Sequence, residues 1–326
     1  MKTRKLGKTG FDVSEIGMGC WQLGGDFGPI EDATSQAALT AAHEAGITFY
    51  DTADVYGGGR SEVQVGHFLN GPGASSVVAT KVGRTAALYP DSYARDEIAD
   101  HLRASADRLG VDKLDLVQLH CVPPGVLEDG EIFDIMDEMV AEGLTANWGA
   151  SVETIAEARV CMAQPGCATL QIIFNLYRQN AVWEIFDEAR DKNVGIIVRL
   201  PLASGLLTGK FAKGQRFPES DHRNFNADGA AFSVGETFSG IELDKGIEAL
   251  ERIKPLVPEG MTLADFALRW ILDHDAVSSV IAGVSRPEQA QRNAAASNLP
   301  PLGADVHEEL KRIYQAEIEG LVRCPI

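Results

Sequence analysis

Cysteine is scarce in this sequence and nowhere paired. Cys20, Cys121, Cys161, Cys167 and Cys324 are scattered with no CxxC spacing, which leaves neither a disulfide framework nor the ligand set of a structural zinc. A reducing compartment suits such a chain. No run of about 18 apolar residues occurs, as a membrane-spanning helix requires. The opening MKTRKLGKTGFDVSEIG is basic but lacks the apolar stretch of a secretory signal. These absences predict a cytoplasmic location with no membrane partner. Basic residues are in deficit too, 29 against 47 acidic, for a formal charge of -18. A surface of that sign repels polyanions and excludes nucleic acid as a partner. A small anion is still compatible, because a few cations and backbone amides suffice to hold one.

What is present reads as one globular core. Hydrophobic residues make up 45% and charged residues 23% of 326 positions, a mixture and a length that one α/β barrel accommodates, so residues 1–326 are expected to form a single domain. Short apolar runs at 47–51, 76–81, 114–120, 145–151, 169–175, 194–200 and 277–283 read as strands, with SEIGMGCW at 14–21 as an eighth. RKLGKTGFDV before it reads as a hairpin. Helical spacing appears at 33–45, 91–109, 180–192 and 262–273, the last with Leu263, Phe266, Ala267, Trp270 and Ile271 on one face. Asp32, Ser61 with Gln64, and Ser285-Arg286-Pro287-Glu288 read as helix starts. The segment 203–240 is too long and too glycine-rich for a connector and reads as a lid or binding loop.

The alternation alone fits an open sheet as well as a barrel. The polar residues decide for a barrel, because Asp51, Lys81, His120, Ser151 and Gln171 fall at or near the carboxyl ends of five separate strands. Hydride addition to a carbonyl leaves charge on oxygen and needs an acid there. Tyr56 suits that role if a cation draws its pKa down from about 10, and Lys81 is the candidate cation. Asp51 would orient Lys81, and His120 would hydrogen-bond the carbonyl oxygen. Singly, each has a plainer use: Asp51 capping a turn, Tyr56 packed in a glycine loop, Lys81 in solvent, His120 satisfying a backbone carbonyl. Jointly, at the strand ends of one barrel, they make a reducing site.

The chain resembles the aldo-keto reductase superfamily, of the bacterial NADP-dependent oxidoreductase type. The likeness runs from KLGKTGFDVSEIGMGCWQLGG through ITFYDTADVYGGGRSE, the lysine of VVATK, LDLVQLH and RLPLASGLLTGK to IAGVSRPEQAQRNAAA. DTADVYG with a strand-end lysine and a strand-end histidine is its specific part. The resemblance implies a (β/α)8 TIM barrel with an N-terminal β-hairpin and long loops at the C-terminal face. It implies NAD(P)H-dependent reduction of aldehydes or ketones to alcohols, with Asp51, Tyr56, Lys81 and His120 as the catalytic tetrad and Tyr56 as general acid. Trp21 would line the substrate pocket, and Ser151 and Gln171 would hold the nicotinamide carboxamide. Pro201, Leu202, Ser204, Gly205 and Lys210 would lie along the pyrophosphate, and Ser285, Arg286, Gln289 and Asn293 at the adenosine end. No metal is required, since Tyr56 and His120 replace a Lewis acid.

Some positions depart from the family pattern. Val152 stands where many relatives have an asparagine that assists Ser151. Arg199 stands where an aromatic usually stacks on the nicotinamide, and its guanidinium would stack while placing a charge beside a ring that is cationic when oxidised. Gly283 stands where many NADP-using relatives carry lysine. NADP(H) is nonetheless the expected cofactor, with NAD(H) second, because Arg286 at a helix start offers a fork for the 2′-phosphate. A small carbonyl substrate follows, with aldehydes, ketoses and small diketones not separated. The alternative is a cofactor-binding redox-sensing or regulatory subunit with slow turnover. A partner-binding segment would mark that reading. The tail after 305 instead reads as an ordinary terminal helix that packs through Leu310, Ile313 and Ile318. The sequence sets no oligomeric state.

Overall fold

The computed structural model describes residues 1–326. An antiparallel hairpin comes first, β1 (Thr3–Lys5) against β2 (Asp12–Ser14). Eight parallel strands follow: β3 (Ile16–Gly19), β4 (Phe49–Asp51), β5 (Val77–Val82), β6 (Leu116–His120), β7 (Trp148–Ser151), β8 (Cys167–Ile173), β9 (Gly195–Arg199) and β10 (Val277–Gly283). They pair in chain order, and β10 joins β9 to β3, which closes the barrel. All eight expected strands form, some shorter than their apolar runs: only the last four residues of 145–151 are in β7.

Period-two alternation stacks the barrel interior in layers. Phe49, Ala79, Leu116, Ile197 and Ile281 pack with Leu6 and Val13 of the hairpin in a small apolar cluster. The hairpin therefore stoppers the amino-terminal mouth. Two residues further along the same strands stand Asp51, Lys81, Gln118 and Arg199, all buried. Glycine makes room for this stack: a Cβ at Gly17 would lie 2.9 Å from the Phe49 ring and 3.0 Å from Ser279 Oγ. Strand β3 thus adds no bulk where its neighbours meet.

Several helix starts differ from expectation. Asp32 is already inside the helix Asp32–Glu44, whose cap position holds Glu31 without a side-chain bond. Asp32 instead pairs with Arg60 at 2.6 Å. Ser61 lies within Arg60–Leu69, where its hydroxyl donates to the Cys20 carbonyl and accepts from Thr52, both at 2.8 Å. Buried partners outcompete capping for Ser61, whereas the Asp32 pair with Arg60 lies at the surface. Thr154 with Glu157 and Thr262 with Asp265 form full capping boxes. The 91–109 helix begins only at Arg95, and 180–192 is divided at Ile185. Pro287–Ala295 does start at the SRPE motif, and Gln289 Oε1 accepts from the amides of Ser285 (2.7 Å) and Arg286 (3.1 Å). The terminal helix Ala304–Ile313 widens into a π-turn, Tyr314–Ile318, with Leu310, Ile313 and Ile318 buried as expected. The 203–240 segment holds short turns and the helix His222–Phe225. No helix is long and apolar enough to cross a membrane.

Candidate active site

The polar layer converges at the carboxyl ends of the strands. Lys81 Nζ donates to Asp51 Oδ1 at 2.5 Å, to the Thr52 carbonyl at 2.8 Å and to Tyr56 Oη at 3.2 Å. Asp51 Oδ2 accepts from Gln171 Nε2 at 2.6 Å and Gln118 Nε2 at 3.1 Å. With both oxygens of Asp51 engaged, Oδ2 by two amides and Oδ1 by Lys81, the carboxylate fixes where the ammonium sits. The His120 ring meets Tyr56 edge-on with centroids 5.9 Å apart. Trp21 stacks on the other side of Tyr56 at 5.7 Å and 21°, its indole donating to Asp26 at 2.9 Å.

Charge in this site follows from burial. Burial alone would strip Lys81 of its proton, but Asp51 and then Tyr56 outweigh it and raise the lysine pKa, so Lys81 is cationic. Tyr56 runs against the sequence expectation: burial pushes its pKa up more than Lys81 draws it down, to about 12. Tyr56 therefore keeps its proton at neutral pH. His120 is held well below the usual histidine value, first by burial and then by Arg84, Lys81 and Arg199. A neutral imidazole and a protonated phenol thus face the same space.

A cleft of about 650 Å³ opens above them. Its walls include Trp21, Asp51, Tyr56, His120, Ser151, Gln171 and Arg199, then Pro201, Leu202, Ser204 and Gly205, and at its far end Gly283, Ser285, Arg286 and Gln289. Lys81 lies beneath Asp51 and Tyr56 at 1% exposure. Lys210 is exposed and outside the cleft, and Asn293 is buried behind the wall rather than on it. Gln171 has its amide nitrogen committed to Asp51, and its oxygen accepts from Ser151 Oγ at 3.4 Å. The turn after β9 is strained, with φ of 53° at Leu200, 47° at Ala203 and 55° at Ser204. At Gly283 a Cβ would lie 2.2 Å from Gln22 Nε2, so Gln22 occupies the space a longer side chain would need. The Gln22 Oε1 and His120 Nδ1 atoms are buried without a protein partner.

Arg199 lines this cleft, but its guanidinium is not free to lie as a flat stacking platform. It donates to the Val152 carbonyl at 3.1 Å and pairs with Glu236, from the 203–240 segment, at 3.6 Å. Arg84 takes the other Glu236 oxygen at 2.8 Å. Burial would raise the Glu236 pKa, yet the two guanidinium groups hold it far below the carboxylate range. The neighbouring Glu153 goes the other way, raised by burial and then by the Glu236 charge. Cys121 Sγ, Glu153 and Glu236 approach within 4.8 Å of one another. A second cavity of about 590 Å³ adjoins the first, and Trp21, Tyr56, His120 and Glu236 belong to both walls. Of the residues that sequence reasoning missed, Gln118 carried a signal, the alternation Leu116, Gln118, His120. Arg84 and Glu236 lie in irregular segments and carried none.

The 203–240 segment is clamped over the mouth by aromatic packing. The buried His222 ring sits 4.8 Å from Trp21 and 4.5 Å edge-on from Phe27. Burial lowers its pKa to about 4, and does the same to His274. The unfolded chain, with histidines near 6.5, takes up these protons first. Stability from the neutral rings is therefore full above about pH 6.5 and is lost as pH falls toward 4, by up to about 1.4 kcal/mol per pH unit for each ring. Urea unfolding across this range should show that slope, and His222→Phe should flatten it. An unchanged slope in the variant would remove His222 from the account.

Residues 15–315 match a family profile described as the Aldo/keto reductase family. Among curated proteins, the chain is 29% identical to a probable voltage-gated potassium channel subunit beta of Oryza sativa subsp. japonica, over 97% of this chain and 98% of that protein. It is also 29% identical to an uncharacterized oxidoreductase of Bacillus subtilis (strain 168), over 96% and 95%. Among solved structures, an aldo-keto reductase from Bacillus halodurans in its holo form superposes with a TM-score of 0.77 at 25% identity, covering 96% of each chain.

Proposed function

The chain belongs to the aldo/keto reductase family, and on that premise we propose that it reduces a small aldehyde or ketone with a nicotinamide cofactor, Tyr56 giving the proton. The observation that carries this reading is the Asp51, Lys81, Tyr56 chain of hydrogen bonds, which ends where two cavities meet. The cofactor, when bound, supplies the hydride. Lys81 stabilises the phenolate that forms as Tyr56 Oη releases its proton to the carbonyl oxygen. Asp51, held by Gln118 and Gln171, keeps Lys81 in place. His120, neutral, offers a hydrogen bond to the same oxygen without competing for the proton. The disulfide-free, acidic chain suits the cytoplasm.

The cleft fits a dinucleotide in its chemistry. It runs from Tyr56 to an exposed Arg286 that makes no salt bridge, with the strained turn and the unpartnered Gln22 Oε1 between them. Ser151, Arg199 and the 201–205 turn would hold the nicotinamide half. Ser285, Arg286 and Gln289 would hold the adenosine half, Gln289 through its amide nitrogen because its oxygen caps the helix. Arg286 is the residue that would favour NADPH over NADH. A charged hydrogen bond of about 1.5 to 3 kcal/mol predicts that Arg286→Ala lowers kcat/KM with NADPH by about 10-fold to 150-fold and far less with NADH. Cofactor oxidation by a carbonyl panel, run with both cofactors, tests both claims. Equal losses would withdraw Arg286 as the discriminator.

The rice relative's name keeps a second reading in view, a cofactor-holding subunit that turns over slowly. Tight NADPH binding with no carbonyl oxidising it would favour that reading.

A further inference from the structure

Asp54, in the DTADVYG run two residues before Tyr56, is buried with a side-chain exposure of 2%. Neither of its carboxylate oxygens meets a donor in hydrogen-bond geometry, and its one ion pair is with His101, whose Nδ1 lies 3.4 Å from Oδ2. A carboxylate so placed needs a cation. His101 stands on the helix Arg95–Leu109, which backs the turn that carries Tyr56. Its other ring nitrogen, Nε2, lies 3.4 Å from Thr85 Oγ1, in the segment that leaves β5 four residues after Lys81. One imidazole thus touches the two stretches of chain that deliver Tyr56 and Lys81. Arg108, further along the same helix, closes the far end of the turn: it pairs with Glu62 at 2.6 Å, and a Cβ at Gly59 would lie 2.8 Å from its Cδ.

We propose that His101 is a positioning residue for the reduction: as a cation it pins Asp54 and Thr85 together, and so sets where Tyr56 Oη stands relative to Lys81. The role rests on the reductase reading above and adds a proton switch to it. The charged groups facing the ring besides Asp54 are Glu97 and Arg108 of its own helix, with Glu62 of the helix Arg60–Leu69 beyond them. Glu62 is committed to Arg108 and Thr80, and Glu97 is exposed, so Asp54 is the partner that decides. Asp54 raises the His101 pKa above 6.5, against burial and Arg108, which lower it. A neutral ring still offers Asp54 one N–H but withdraws the only charge in contact with a buried carboxylate. As pH rises through the His101 pKa the turn therefore loses its anchor, and Tyr56, whose own proton is held to about 12, is left an intact acid out of place. Binding the proton and holding the turn are linked, so each unit of pKa above 6.5 is worth about 10-fold in that placement.

Two measurements on the full chain test this. The His101 C2–H resonance, assigned by its loss in His101→Gln, should titrate above 6.5 in the wild type and lower in Asp54→Asn. Single-turnover reduction with NADPH prebound should slow about 3-fold to 10-fold between about pH 6 and about pH 9, with its midpoint at that same pKa, while NADPH affinity stays constant. Asp54→Asn and His101→Gln should both lose this limb. His101→Lys keeps the cation and should hold the rate at its acid-side value, a rescue that a purely packing role would not give. A limb that survives in Asp54→Asn and His101→Gln, or a His101 that titrates at or below 6.5 in the wild type, would overturn the positioning role and leave the reductase reading standing. Failure of every carbonyl to oxidise bound NADPH would defeat both.

Discussion

Tyr56→Phe should abolish carbonyl reduction while leaving cofactor affinity nearly unchanged. The substitution removes one oxygen and its transferable proton and keeps the ring stacked on Trp21. Loss of a general acid costs about 10²-fold to 10⁴-fold in rate. Because burial holds the Tyr56 proton to about pH 12, the wild-type enzyme carries that proton throughout the neutral range, and no rise in activity on acidification below neutrality should trace to it. Single-turnover rates with cofactor prebound isolate the step. A variant that keeps more than about a tenth of wild-type turnover would take Tyr56 out of the proton-donor role.

Lys81→Met should do comparable damage by a different route. Lys81 is the one group that pulls the Tyr56 pKa down, against burial and the Asp51 charge that push it up. Without it the tyrosine becomes a weaker acid, and the alkaline limb of the rate profile moves to higher pH rather than lower. The substitution also leaves Asp51 buried with only the two glutamine amides. Removing one partner from a buried ion pair costs about 3 to 5 kcal/mol of stability. Both readouts are needed: spectroscopic titration of the tyrosine, and urea unfolding of the same variant. An alkaline limb that stays put would assign it to another group.

The barrel was legible because each strand's inward residues repeat every second position, and because the polar ones cluster at one end of their strands. Asp51, Lys81 and His120 could therefore be placed on one rim although they are far apart in sequence. The net direction of the Tyr56 shift was not legible, since a lysine nearby in sequence logic says nothing about how deeply the phenol is buried. Arg199 was read as a stacking platform because its position, after GIIV and before LPL, is all the sequence offers. Its partner Glu236 comes 37 positions later, from a segment without periodicity. Helix starts failed for the same reason at Ser61: a serine followed by Gln64 has the spacing of a cap, but the Cys20 carbonyl that claims its hydroxyl lies 41 residues away.

Glu236 holds one arginine from each cavity wall, so neither cavity can rearrange around it alone. An occupant of one cavity that displaces its arginine would thereby be coupled to an occupant of the other, although the two need never touch. If an occupant of the cleft draws Arg199 away from Glu236, the carboxylate is left to Arg84, and the second cavity is altered before anything enters it. Linkage requires the converse to the same degree: whatever factor the cofactor applies to substrate affinity, the substrate applies to the cofactor.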